Sequence, residues 1–191
     1  ANEDITGNRG GLNAGLGVIV NYDSRDNYFE SHSGWYVEFT VDRHGDYVGS
    51  DFTYTRLRFD ARKFLEFSEE DHFALRFFTE SIDGGAPFIS QALLGGTQRM
   101  RGFYEGRYRD DNSAILQMEY RRDLFGRLGL VAFGALGTVA DQYSKLSINY
   151  LRNTYGGGLR FAINKEDRIN IRFDVGVGDE VNYYLTIGEA F

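Results

Sequence analysis

The chain has 191 residues, a formal net charge of −7 and no cysteine. That length supports one domain with a substantial core, the acidic balance excludes a nucleic-acid surface, and the lack of cysteine excludes disulfides and thiolate metal sites. No run of about 18 apolar residues is present to form a membrane helix.

Apolar and polar residues alternate along most of the chain, the signature of two-faced strands. From Gly11 to Tyr22, Leu12, Ala14, Leu16, Val18, Val20 and Tyr22 share one face. The next run sets Trp35, Val37, Phe39 and Val41 against Tyr36, Glu38, Thr40 and Asp42. Thr55, Leu57, Phe59 and Ala61 then oppose Tyr54, Arg56, Arg58, Asp60 and Arg62. After a polar turn near Ser68–Asp71, Phe73, Leu75 and Phe77 oppose Ala74, Arg76, Phe78 and Glu80.

A long segment follows, roughly Ser81 to Asn112. Long connections in compact domains are functional or disordered. This one carries Phe88, Leu93, Leu94, Met100, Phe103 and Tyr104, too much apolar material for a solvated linker. Gly95 and Gly96 let backbone approach other groups closely. Arg101 sits among apolar neighbours, where a buried charge needs an acidic partner. A loop folded back into a cavity, anchored by Arg101, fits these features; a surface loop with an incidental arginine is the alternative.

Beyond it, Ala114, Leu116, Met118 and Tyr120 oppose Gln117, Glu119 and Arg121. A turn at Asp123–Gly126 precedes Leu128, Leu130, Ala132, Gly134 and Leu136. A loop over about Ala140–Asn153 leads to Leu159, Phe161 and Ile163, with Gly156-Gly157-Gly158 expected to flatten a strand near its end. Asn164–Asp167 is a turn, and Ile169, Ile171, Phe173 and Val175 oppose Asn170, Arg172, Asp174 and Gly176. The last run places Tyr183, Leu185, Ile187 and Phe191 outward.

Strands of about ten residues match what a tilted strand needs to cross a bilayer. A soluble sandwich shows the same alternation with its charged face in water. Here the polar face gathers Arg56, Arg58, Arg62, Arg76, Arg121, Arg160 and Arg172 with Asp60, Glu80, Glu119 and Asp174. Opposed charges at that density suit a narrow hydrated lumen, and a mean hydropathy of −0.41 is compatible with a barrel. The expectation is an all-β antiparallel transmembrane β-barrel of about eight to ten strands, its long loop folded into the lumen. Nine strands are clear, whereas bacterial barrels are normally even-numbered. Asp4–Asn8 as a short tenth strand, a first strand outside the wall, and half of a larger barrel all remain open.

The motifs carry a resemblance. Gly95-Gly96, then Arg101-Gly102-Phe103, then Glu119-Tyr120-Arg121 resemble the inward-folded loop and following strand of the BamA/TamA (bacterial surface antigen) family. Asp23-Ser24-Arg25-Asp26-Asn27, Phe29 and Gly34 are similar to that family's periplasmic turn, and terminal Phe191 to its carboxy-terminal assembly signal. The resemblance implies the carboxy-terminal half of such a barrel in a Gram-negative outer membrane. It also implies surrounding lipid, assembly machinery that engages the last strand, and a link to protein insertion or translocation. It implies that Arg101 is held by acidic groups on the inner wall, Glu119 among them. A second acidic position of the family falls on Ala135, so Asp174 or Glu80 would substitute. One barrel domain over residues 1–191, with no polypeptide-transport-associated domain ahead of it, is expected. A passive barrel or a fragment without transport activity is the alternative, and a homodimer is the alternative to closure alone.

No cofactor or metal ligand set is expected, since His32, His44 and His72 fall in or beside turns without ligand spacing. They are expected to be solvated. With no histidine on an inner face, the usual general base is missing and an enzyme is not expected.

Overall fold

Period-two patterning requires two-faced strands, and each alternating run forms one. The computed structural model describes residues 5–191. In chain order the strands are β1 (Gly15–Asp23), β2 (Gly34–His44), β3 (Tyr54–Glu66), β4 (Asp71–Gly84), the short β5 (Ala92–Leu94) and β6 (Tyr108–Asp110), β7 (Asn112–Asp123), β8 (Leu128–Ala140), β9 (Arg152–Asn164), β10 (Ile169–Val177) and β11 (Val181–Ile187). The nine long strands form one antiparallel sheet in the order β1-β2-β3-β4-β7-β8-β9-β10-β11. The pair β5–β6 is a separate two-stranded ribbon within the long loop. Among the described residues β1 pairs only with β2 and β11 only with β10, so the hydrogen-bonded ring is not closed.

The two faces differ in chemistry. Along β4 the buried residues are His72, Ala74, Arg76, Phe78, Glu80 and Ile82, and along β7 they include Ile115, Gln117, Glu119 and Arg121. The opposite face exposes Leu57, Phe77, Met118, Leu130, Leu159, Phe173 and Leu185, among other large apolar side chains. Soluble monomers seldom expose contiguous apolar patches beyond a few hundred Å². An apolar belt outside and charges inside is the arrangement of a wall facing lipid.

The wall curls enough for its turn ends to meet. Arg168, between β9 and β10, pairs with Asp26 in the β1–β2 turn at 2.5 Å. Asn170 Nδ2 donates to Glu30 Oε2 at 2.8 Å. That turn therefore crosses the mouth at one end of the sheet, while the β5–β6 loop fills the other end.

Several local expectations are corrected. The first strand starts at Gly15 rather than Gly11, because the preceding residues bond to the segment before β3: Leu12 N donates to Asp51 Oδ2 at 2.7 Å. β1 is exposed on both faces, Ile19 included. Residues 6–9 form a turn and not a tenth strand, and Asp4 lies outside the described residues. Gly156, Gly157 and Gly158 lie well inside β9, which runs longer than its apolar residues indicate. Phe191 does not point outward. β11 ends at Ile187, Gly188 adopts a φ of +82°, a left-handed conformation that glycine takes without strain, and its N–H bonds to Asn170 O at 2.8 Å. The chain then turns inside, where Phe191 packs with Phe64, Ala74 and Ala190.

Candidate functional site

The loop between β4 and β7 packs against the concave face of the wall. Leu94, Met100 and Phe103 from the loop cluster with Phe78, Ile115 and Ala135 from the wall. Burying side chains of this kind stabilises by about 1.5–3 kcal/mol each, which offsets much of the entropy lost on ordering the loop. Ala135 is small, and that leaves room for the loop. Gly137, one inward position further along β8, would drive a Cβ into Met100.

This packing sets Arg101 into the wall, 2 % exposed. Its Nη2 pairs with Glu119 on β7 and its Nη1 with Asp174 on β10. The guanidinium also lies over the Phe133 ring of β8, 3.6 Å from its centroid, a cation–π contact favoured by the dry surroundings. Both carboxylates have second cations. Arg121 Nη2 lies 2.8 Å from Glu119 Oε2, and Arg160 Nη1 lies 2.5 Å from Asp174 Oδ1. Arg160 continues to Glu189 at 2.8 Å, and Arg172 donates to the loop carbonyl of Thr97 at 3.1 Å. The result is a charge network fixed at one loop residue by strands that are far apart in sequence.

The neighbouring residues fit the same docking. Gly102 has a φ of +114°, and a Cβ there would come within 2.8 Å of the Val177 carbonyl carbon. Its N–H donates to Tyr184 Oη at 2.9 Å and its carbonyl accepts from Asn182 Nδ2 at 3.0 Å. Gly95 backs onto the carbonyl of Tyr104. Gly95 and Gly96 also line a polar cavity of about 350 Å³ between the loop and β3–β4. Glu80 does not reach Arg101; it faces Arg99 and Arg56, each at 3.5 Å. Arg76, joined to Asp60 at 2.8 Å, donates to the Gln98 carbonyl at 3.0 Å.

Sequence reasoning did not find Phe133, Arg160 as a clamp partner, Tyr184 or Asn182. One signal was legible. Gly156 and Gly158 are two apart on the inner face of β9, and bare inner positions in a strand mark close approach by something bulky. A Cβ at Gly156 would run into Phe133, and one at Gly158 into the Asp174 carboxylate.

The histidines are corrected too. His72 is on the inner face of β4 and 1 % exposed, and His32 is 9 % exposed with its ring stacked on that of His72. His44 faces inward from β2 with its Nε2 2.9 Å from Asp42. Turn positions looked solvated, but this turn folds over the mouth. Burial pushes the His32 imidazole down to about 4, with the nearby His72 adding to the effect. Burial likewise raises Glu30 on the same turn.

A curled antiparallel wall with an apolar exterior, a charged interior and a docked loop defines the barrel class of membrane protein. The Omp85 superfamily domain matches residues 6–191, and the chain belongs to that superfamily of outer-membrane β-barrel proteins. Among solved structures it is similar to BamA from Haemophilus ducreyi lacking POTRA domains 1–3, with a TM-score of 0.72 and 12 % identity. That likeness covers 91 % of this chain and 42 % of the other, so the chain spans less than half the length of the protein it matches. No curated protein matches it.

Proposed function

We propose that the chain forms the wall of an outer-membrane barrel of a Gram-negative cell that takes part in protein insertion or translocation, with the Arg101 loop held against the wall as its internal element. The observation that supports this reading is the buried two-carboxylate clamp on Arg101, which holds a loop across the lumen at the cost of desolvating several charges. In this reading residues 1–191 act as one barrel domain in lipid. The assembly machinery engages β11 before Phe191 is tucked inside. The test is reconstitution of the protein in liposomes with an unfolded outer-membrane client. Client folding should accelerate over empty liposomes, and Arg101→Ala should reduce the acceleration. Equal rates with and without the protein would leave the reading without support.

A passive barrel is the second reading, favoured by the fully buried Leu94 and Met100 of the loop, which make it a packed plug. Client folding no faster with the protein than in empty liposomes, with the loop still protected from protease, would favour this reading. A homodimer covering the edges β1 and β11 is separable by cross-linking in detergent.

A further inference from the structure

The mouth crossed by the β1–β2 turn gathers three metal-ligating side chains that the clamp does not use. His32 comes from the turn, His72 from the inner face of β4 and Asp123 from the end of β7. One donor atom from each lies within 4.8 Å of the others. The His32 and His72 rings stack with centroids 3.5 Å apart. Among the described residues neither nitrogen of the buried His72 has a hydrogen-bond partner, and Nε2 of His32 has none either. Asp123 Oδ2 lies 3.7 Å from His72 Nε2, too far for a hydrogen bond. Buried polar atoms are almost always satisfied, so orphaned imidazole nitrogens converging beside a carboxylate mark a place for a ligand. A cavity of about 370 Å³, lined by His32 and Asp123 together with Glu30, Arg127 and Arg168, opens on the same spot. It gives an ion access and leaves room for a water.

We propose that His32, His72 and Asp123 bind a divalent transition-metal ion, zinc by the character of the donors, with a water completing the shell. Two neutral imidazoles and one carboxylate form a borderline nitrogen and oxygen set that suits zinc. Magnesium and calcium favour oxygen alone. Tetrahedral ligation sets donors about 3.3 Å apart, closer than the 4.8 Å within which they lie here, so binding requires the His32 ring to leave its stack on His72. The ligands come from the turn and from two wall strands, so the ion staples the β1–β2 turn across the mouth. The hairpin needs such a hold, because β1 is exposed on both faces and, among the described residues, pairs on one edge only.

The test uses the untagged full chain folded in detergent, titrated with cobalt(II) and then competed with zinc in the presence of excess magnesium. The expected result is one ion per chain at micromolar affinity or tighter, with the intense visible band of a tetrahedral site. His32→Ala and Asp123→Asn should each weaken binding about tenfold or more, and His44→Ala should leave it unchanged. Zinc should slow proteolysis within residues 24–33 in the parent and not in His32→Ala. His72→Ala, which empties a packed position, serves as a supporting variant where it folds. Absence of micromolar binding, or parental affinity in both His32→Ala and Asp123→Asn, would overturn the proposal.

Discussion

Replacing Arg101 with alanine tests the clamp directly. Both carboxylates it bridges have side chains with 0 % exposure, and breaking a buried pair costs about 3–5 kcal/mol when a charge is left alone. Here neither is left alone, since Glu119 keeps Arg121 and Asp174 keeps Arg160. The electrostatic loss therefore falls near the lower bound, about 3 kcal/mol. The contact with Phe133 adds up to about 2 kcal/mol in a desolvated setting. A total of about 3–5 kcal/mol follows, with the loop between β4 and β7 becoming open to protease. Urea unfolding of the detergent-folded protein, read by gel mobility and by the fluorescence of Trp35, measures it. Combined with Glu119→Gln, the effects should couple by about 0.5–3 kcal/mol. Arg101→Lys should not restore stability, because an ammonium lacks the planar fork that spans two carboxylates. A loss below about 1 kcal/mol, additive with Glu119→Gln, is what a solvated arginine gives, and it would refute the docked loop.

Gly158→Val should destabilise by about 1–3 kcal/mol through overpacking against Asp174, and an unchanged unfolding midpoint would show the inner wall to be looser there than described. Phe191→Ala should cost about 3–5 kcal/mol as a core truncation, measurable in detergent alone; loss confined to assembly in cells would give Phe191 a signalling role without a packing one. Leu159→Arg, on the outer face, should cost about 2–4 kcal/mol if the position lies near the bilayer midplane, and tolerance of it in lipid would contradict the facing assigned here. The parent protein should fold in detergent or lipid and shift its gel mobility on heating, whereas a folded, soluble monomer in plain buffer would rule out a membrane wall.

The strands were legible because alternation is enforced at every residue by lipid on one side and charge on the other. The loop was legible through Arg101 and its glycines, since a charge among apolar residues demands a partner. The identity of that partner was only partly legible: Asp174 is 73 residues from Arg101, and nothing local ties them together. Sequence spacing likewise could not show that the turn carrying His32 folds onto His72. β9 was read short because glycine carries no hydrophobic signal, although its bareness is what admits the clamp. Phe191 was placed outward by extending the period of β11 past Gly188, where the backbone abandons it.

The strand order carries a consequence about direction. Each antiparallel step reverses the chain, and eight steps (nine strands less one) separate β1 from β11, so the two edge strands run the same way. If these edges met each other, their seam would be parallel, with slanted and slightly weaker bonds. A second copy inserted the same way round changes nothing, because rotation about the membrane normal preserves up and down. A ring made only of antiparallel seams requires an odd number of further strands beside these nine. In lipid an open edge cannot persist, so one of these two solutions must hold. The absence of cysteine leaves the chain ready for engineered thiols along β1 and β11, whose cross-linking register would reveal which way the neighbouring strand runs.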